Sequence, residues 1–405
     1  MKTQTLLSLA SASALVSILN FGFASAFAQG SLTPPGPPGP TMKSLAQIEP
    51  RTPISSAPFT ITNSGSYYLT TNLIAGSGQN AIIISTNSVT LDLNGFTLSS
   101  PGSVPIATGV LINSGLRDIT ICNGHITSSV TNNGPVFSGT GFGYGIFYLG
   151  TSPVNVLVSQ VTVSGVWYQG INLGSGKTTM VKNCTVNVAG NYGIVAGTVV
   201  DCTALTCFNA AIDAYNVQNC YGTCVGADYG VYAVQSVQNS YGYSSGNVGL
   251  YASQTAENCV GSAGGVGAGL NASTALNCVG NGSGGDGIDA TIAQGCYGYT
   301  GTGAGLAADI AQSCEAYSNS GIVGLDATYL AENCYGETGN GNNIGLLAGT
   351  ALNCYGYSDD TGTGLSATAA LNCYGYSASG TGLVATYGNF CFGTSVSVTT
   401  KYNMP

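Results

Sequence analysis

The chain has 405 residues and a formal net charge of −9, with 7 Lys and Arg against 16 Asp and Glu. The seven cations, Lys2, Lys43, Arg51, Arg117, Lys177, Lys182 and Lys401, form no cluster, which makes nucleic acid and anionic membranes poor partners. Charged residues are only 6% of the chain while Gly numbers 61 and Tyr 24, so the highly charged, weakly hydrophobic composition of disorder is excluded and stacked strands wetted by hydroxyls and amides are favoured.

The first element is a targeting segment. Lys2 precedes an apolar run from Leu6 to Phe27 that ends in the small-x-small exit Ala26-Phe27-Ala28. This reads as a secretory signal over residues 1–28. A membrane anchor is the weaker reading, because Ser8, Ser11, Ser13, Ser17 and Asn20 dilute the run. No later segment is long and apolar enough to span a bilayer, so the mature chain is expected to be secreted or held at a bacterial cell surface, without a membrane span. Residues 29–52 come next. "PPGPPGP" (Pro34 to Pro40) is a stiff spacer, too short for a collagen helix. In "TMKSLAQIEP", Thr41 caps a short helix that places Met42, Leu45 and Ile48 on one face, a candidate lid for the exposed end of a stacked fold.

Residues 53–190 carry alternating apolar strands: "GSYYLTTNL", "NAIIIS", "NSVTLDLNGFTL" and "LRDITICNGHI". The turns Asn94-Gly95 and Asn123-Gly124 are 29 residues apart, and the stretch from Thr127 to Gly143 is expected to bulge out as a loop.

Residues 191–405 repeat. A small residue opens a Gly-aliphatic-x-Ala unit at Gly193, Ala211, Gly230, Gly249, Gly269, Gly287, Gly305, Gly324, Gly345, Gly364 and Gly382, in steps of 18 to 21. Cysteines keep the same period at 184, 202, 220, 259, 278, 296, 314, 334, 354, 373 and 391, with Ser240 in the one vacant slot. Two independent marks with one period predict a solenoid. Pieces such as "GLYAS" and "GLSAT" alternate with period two, so each turn is built of short strands and the cysteines form one inward row, one per coil. In-register β-carbons lie about 4.8 Å apart, while a disulfide wants roughly 3.5–4.5 Å; the row is therefore read as buried free thiols. Off the row, Cys207 and Cys224 are the best candidates for a bridge. Asn precedes most row positions (Asn183, Asn219, Asn239, Asn258, Asn277, Asn333, Asn353 and Asn372), which predicts a left-handed turn residue whose amide bonds its copy one coil away. The tyrosines next to and three past the row, including Tyr241, Tyr243, Tyr297, Tyr299, Tyr355, Tyr357, Tyr374 and Tyr376, should point outward and form stripes that can dock sugar rings or a protein.

The segment "GSYYLTTNL…AIIISTNSVTLDLNGFTL" resembles the opening of right-handed parallel β-helix proteins of the pectin-lyase-like class. Together with the Pro-rich stretch and "MKSLAQIEPRTPI", it is similar to a set of exported bacterial proteins of unassigned role, over roughly residues 34 to 200. The fold expected is all-β: a single right-handed parallel β-helix of thirteen to fifteen coils, about 65 Å long, with a short N-terminal capping segment. Left-handed hexapeptide helices also have short coils, but the long N-terminal coils argue against them.

The resemblance implies polysaccharide lyases, glycoside hydrolases and epimerases as candidate activities. Beyond Lys182 only Lys401 remains as a cation, so the repeats carry no basic catalyst, and the Asn-Thr-Asp, Asp-Asp and Gly-His-Gly set of pectin hydrolases is missing. The single histidine, His125, follows a turn and reads as structural; one histidine makes no His-rich metal site. The repeat places Asp213, Asp289 and Asp326 at one outward strand position, with Asp286 and Asp309 nearby; Asp286, Asp289, Asp309 and Asp326 are the catalytic or cation-binding candidates. No metal or cofactor is expected. The leading functional expectation is a non-catalytic exported protein that presents aromatic and hydroxyl stripes to polysaccharide or a surface protein. A carbohydrate-active enzyme and a structural spacer or adhesive stalk are the alternatives.

Overall fold

The computed structural model describes Lys43 and residues 48–102, 106–134 and 136–404. The chain separates into two units, Met1–Pro50 and Arg51–Pro405. The secretory signal, the Pro34–Pro40 spacer and all of the Thr41–Ile48 cap except Lys43 and Ile48 lie outside the described residues.

The second unit is a parallel β-solenoid. Thirty-seven strands join one sheet, and the two remaining strands, Thr131–Asn132 and Phe137–Ser138, pair antiparallel. That ribbon lies within the Thr127–Gly143 insertion, where the sequence predicts an excursion. One ladder can be followed through every turn, from Thr52–Ile54 through Gly65–Leu69, Val89–Asp92, Arg117–Thr127 and Val154–Val166 to Val396–Tyr402. It makes about 18 turns, more than the thirteen to fifteen expected, and the stack is roughly 80 Å long at ~4.8 Å per rung. The shortfall came from the irregular coils before Cys184. There Leu91 lies over Ile121 and Ile121 over Val158, steps of 30 and 37 residues with no sequence mark to count them by.

A single coil shows why about nineteen residues close a turn. Leu250–Glu257 turns Leu250, Ala252 and Ala256 inward, and Val260–Ala263 turns Gly261 and Ala263 inward. A register irregularity between Ala252 and Thr255 bends the first strand into two sides. Asn258, at φ +54°, makes the next corner and delivers Cys259 to the interior. Each inward slot then repeats up the stack. Ile212, Val231, Leu250, Leu270, Ile288, Leu306, Leu325, Leu346, Leu365 and Leu383 form one fully buried column. The interior is narrow elsewhere: a β-carbon on Gly356 would sit 2.1 Å from the carbonyl oxygen of Gly364.

Every asparagine that precedes the row takes left-handed angles, as its type predicts: Asn183, Asn219, Asn239, Asn258, Asn277, Asn333, Asn353 and Asn372 lie between φ +48° and +55°. Their amides form two runs. Asn219 donates to Asp201, Asn239 to Asn219 and Asn258 to Asn239; Asn353 donates to Asn333 and Asn372 to Asn353. Gly295 and Ser313 occupy this corner between the runs.

All fourteen cysteines are free. This corrects the proposed Cys207–Cys224 bridge. The two residues do lie opposite one another on adjacent coils. Their thiols, however, donate to different carbonyls, Cys207 to Leu205 and Cys224 to Phe208. In-register stacking sets their β-carbons near the ~4.8 Å of a parallel ladder, wider than a disulfide prefers.

Candidate functional site

The outward residue of the Gly-aliphatic-x-Ala unit forms a column on one face. In order it reads Asp213, Tyr232, Tyr251, Asn271, Asp289, Ala307, Asp326 and Leu347, each in register with the next. Alternation forces this arrangement: the flanking aliphatic and alanine point inward, so the residue between them points out. Part of the column floors a groove of about 410 Å³ lined by Tyr251, Asn271, Asp289, Asp309 and Asp326 among small Ala, Ser and Thr residues.

The chemistry changes along the groove. At one end Tyr251 stacks on Tyr232, ring centroids 5.1 Å apart and planes 5° from parallel, and Tyr229 packs obliquely against both. The next rung is Asn271, whose Nδ2 donates to Asp289 Oδ2 at 2.8 Å. Ala307 then separates Asp289 from Asp326, so these carboxyls stand two rungs, roughly 10 Å, apart. Burial raises the pKa of Asp289, with the Asp286 charge adding and the Asn271 hydrogen bond opposing. Burial and Asp286 raise Asp326 in the same way. No Lys, Arg or His lines the groove.

The structure brings three of the four acidic candidates, Asp289, Asp309 and Asp326, to this groove. Asp286 is committed elsewhere: its Oδ1 accepts the amide of Ala304 at 2.7 Å in the neighbouring turn. Asp213 shares the column but lies beyond Tyr232, outside the groove. Burial there, reinforced by Asp228, pushes it up to about 6. His125 is exposed on a strand between Thr97 and Thr162. Among the described residues no three His, Cys, Asp or Glu side chains converge on one point.

The eight tyrosine candidates point outward on strands of sequence Tyr-Gly-Tyr-Ser or, at Tyr297–Thr300, Tyr-Gly-Tyr-Thr, alternating with buried Gly and Ser or Thr. They form short stacks. Tyr221 pairs with Tyr241 at 4.6 Å, Tyr299 with Tyr317 at 5.5 Å and Tyr357 with Tyr376 at 4.9 Å, all near parallel, while Tyr335, Tyr355 and Tyr374 pack obliquely. Val260 and Val279 break the column between Tyr241 and Tyr297, and Ser262 and Asn281 break it between Tyr243 and Tyr299. Rings stacked face to face show mainly their edges and hydroxyls to solvent.

Sequence reasoning missed Tyr251 and Asn271. The signal is present in the sequence, because both occupy the slot that singles out Asp213, Asp289 and Asp326, but neither side chain is acidic.

No family profile and no curated protein matches the chain. Among solved structures it is similar to the enzymatically active domain of bacteriophage CBA120 tailspike protein 2, at 12% identity and a TM-score of 0.27, over 71% of this chain and 43% of that one. It thus spans less than half of the tailspike domain. It is also similar to the A-module of an Azotobacter vinelandii mannuronan C-5 epimerase, at 11% identity and a TM-score of 0.27, over 85% of this chain and 92% of that one.

Proposed function

We propose that the protein is an exported, non-catalytic solenoid that binds neutral glycan chains along its outer faces, with the Tyr251–Asp326 groove as the main subsite and the tyrosine stacks as secondary contacts. The observation that carries this reading is the sequence of groups on the groove floor. An aromatic ring stands at one end, followed at fixed rung spacing by an amide and two carboxyls, with Asp309 beside them. An aromatic side chain suits the apolar face of a sugar ring, and amide and carboxylate oxygens suit its hydroxyls. Three carboxylates with no cation among the lining residues repel uronates, which directs the groove to uncharged sugars.

The non-catalytic part rests on the lining, which offers no Lys, Arg or His to act as a lyase base, and on the wide spacing of Asp289 and Asp326. These are two rungs or about 9.6 Å apart, beyond the roughly 5–5.5 Å of retaining glycosidases and at the far limit of the roughly 6.5–9.5 Å of inverting ones. A carbohydrate-active enzyme is the second reading. It is favoured by the raised Asp289 and Asp326, since a carboxyl that keeps its proton can serve as a general acid.

The test is a glycan array with purified protein, run beside reducing-end and unsaturated-product assays. Neutral polysaccharides should be retained and polyuronides should not, and Tyr251→Ala should weaken retention about tenfold. Product release that disappears in Asp289→Asn would replace binding with catalysis. Retention of no glycan at all would leave the spacer or stalk.

A further inference from the structure

The column that floors the groove does not begin at Tyr251. Followed back one rung at a time it reads Tyr232, Asp213, Val195, Asn172 and Phe147, each in register with the next. Its far end opens into a second groove of about 330 Å³, lined by Tyr144, Phe147, Gln169, Asn172 and Val195 among small Gly, Ser and Thr residues. The two grooves are built alike. In the first, Tyr229, Tyr232 and Tyr251 form a three-ring cluster and the next rung is Asn271. In the second, Tyr144 packs against Phe147 at 4.5 Å and against Tyr168 at 5.2 Å, and the rung after Phe147 is Asn172.

The amides of the second groove are held in place with donors to spare. Asn172 Nδ2 donates to Gln169 Oε1 at 2.6 Å, and Asn172 Oδ1 accepts the amide of Gly174 at 2.7 Å. One hydrogen on Asn172 and both on Gln169 Nε2 are left for a guest. No Asp, Glu, Lys, Arg or His lines this groove. Its lining is neutral, and the carboxylates of the first groove repel anions, so both favour uncharged sugars.

We propose that the two grooves are stations on a single track, and that the guest is one long, unbranched, neutral polysaccharide lying along the solenoid axis across both. This rests on the glycan reading above and names the class of glycan within it. An aromatic ring with an amide one rung on offers a sugar's apolar face and its hydroxyls the same pair of partners at each station. Five rungs, roughly 24 Å, separate Phe147 from Tyr251. A short oligosaccharide cannot touch both. An extended chain that advances about one rung per sugar needs about seven units to run from Phe147 to Asn271. Once one station is engaged, the rest of a long chain meets the other at a high effective concentration, so affinity climbs with chain length. An extended peptide is a poor occupant of this face, because the main-chain groups beneath it are spent in the parallel ladder and present no strand edge to join.

The experiment is calorimetric titration of the purified full chain with linear β-1,4-glucomannan, hydrolysed and fractionated into pools of about three and about twelve sugars. The unaltered protein should bind two short chains but one long chain, the long one at least about tenfold more tightly. Phe147→Ala and Tyr251→Ala should each remove one short-chain site and bring the long pool down to short-chain affinity. Gln169→Ala spares the rings, so it carries the test if Phe147→Ala fails to fold; it should weaken one of the two short-chain sites and the long pool with it. A single short-chain site that Tyr251→Ala abolishes, and that Phe147→Ala and Gln169→Ala leave alone, would overturn the track while the Tyr251 groove stands. Two long chains per protein would overturn it as well. Binding of neither pool would also overturn it, leaving the glycan array to judge the Tyr251 groove by itself.

Discussion

At the scale of single residues, side-chain type decides where strain is tolerated and where charge is suppressed. Asp213 shows the second. Burial and the neighbouring Asp228 push its folded pKa to about 6, above the ~3.9 of an unfolded aspartate. The folded state therefore holds the proton more tightly. The stability this gives is full below about pH 4 and lost as pH rises towards 6. Asp213→Asn should raise stability at pH 7 by on the order of 1 kcal/mol after solvent screening, and the difference should vanish at pH 4. Urea midpoints at the two pH values read this directly. At this scale much was legible in advance. The asparagines before the row declared their left-handed angles by type, and Asp289 and Asp326 declared their shared face by position. Tyr251 and Asn271 did not stand out, because neither is chemically unusual until the column sets them beside the acids. The Cys207–Cys224 pairing was misjudged for a related reason: spacing reveals adjacency but not the few tenths of an ångström that separate a stacked pair from a bonded one.

At the scale of the coil, the asparagine corner joins two strands and ties its turn to the next. Asn239 takes part in two amide bonds, donating to Asn219 and accepting from Asn258, and holds φ at +48°. Asn239→Ala loses both the bonds and the easy backbone, at a cost of about 2 kcal/mol. Asn239→Gly keeps the backbone and should recover roughly half of it. Thermal or denaturant unfolding of the two variants separates the contributions; equal losses would show that the amide alone matters. The coil was readable wherever it was short, since nineteen residues leave little room for variation. The N-terminal coils were not countable, because steps such as the 37 residues from Ile121 to Val158 include excursions that no inward residue constrains.

At the scale of the molecule, each turn meets only the turns above and below it, so stability is close to a sum of coils and their interfaces. Removing residues 355–373 joins Cys354 to Tyr374 and deletes one full turn without changing any register. That variant should keep the β-type circular dichroism of the parent and melt within several degrees of it. Removing only 355–363 deletes half a turn and breaks the stacking of the turns that follow Cys354, so their share of the stability should be lost while the turns before it still melt cooperatively.

The gap in the asparagine runs falls on turns that floor the groove. Gly295 and Ser313, where the amide chain lapses, belong to the same turns as Asp289 and Ala307. There the corner is held by main-chain bonds alone, Gly295 donating to Gln312 and Ser313 to Glu332, while Asn219 to Asn258 on one side and Asn333 to Asn372 on the other add side-chain bonds. The turn that carries Asp289 thus meets its neighbours at this corner through main-chain bonds, one side-chain amide bond fewer than the turns of Asn258 and Asn353.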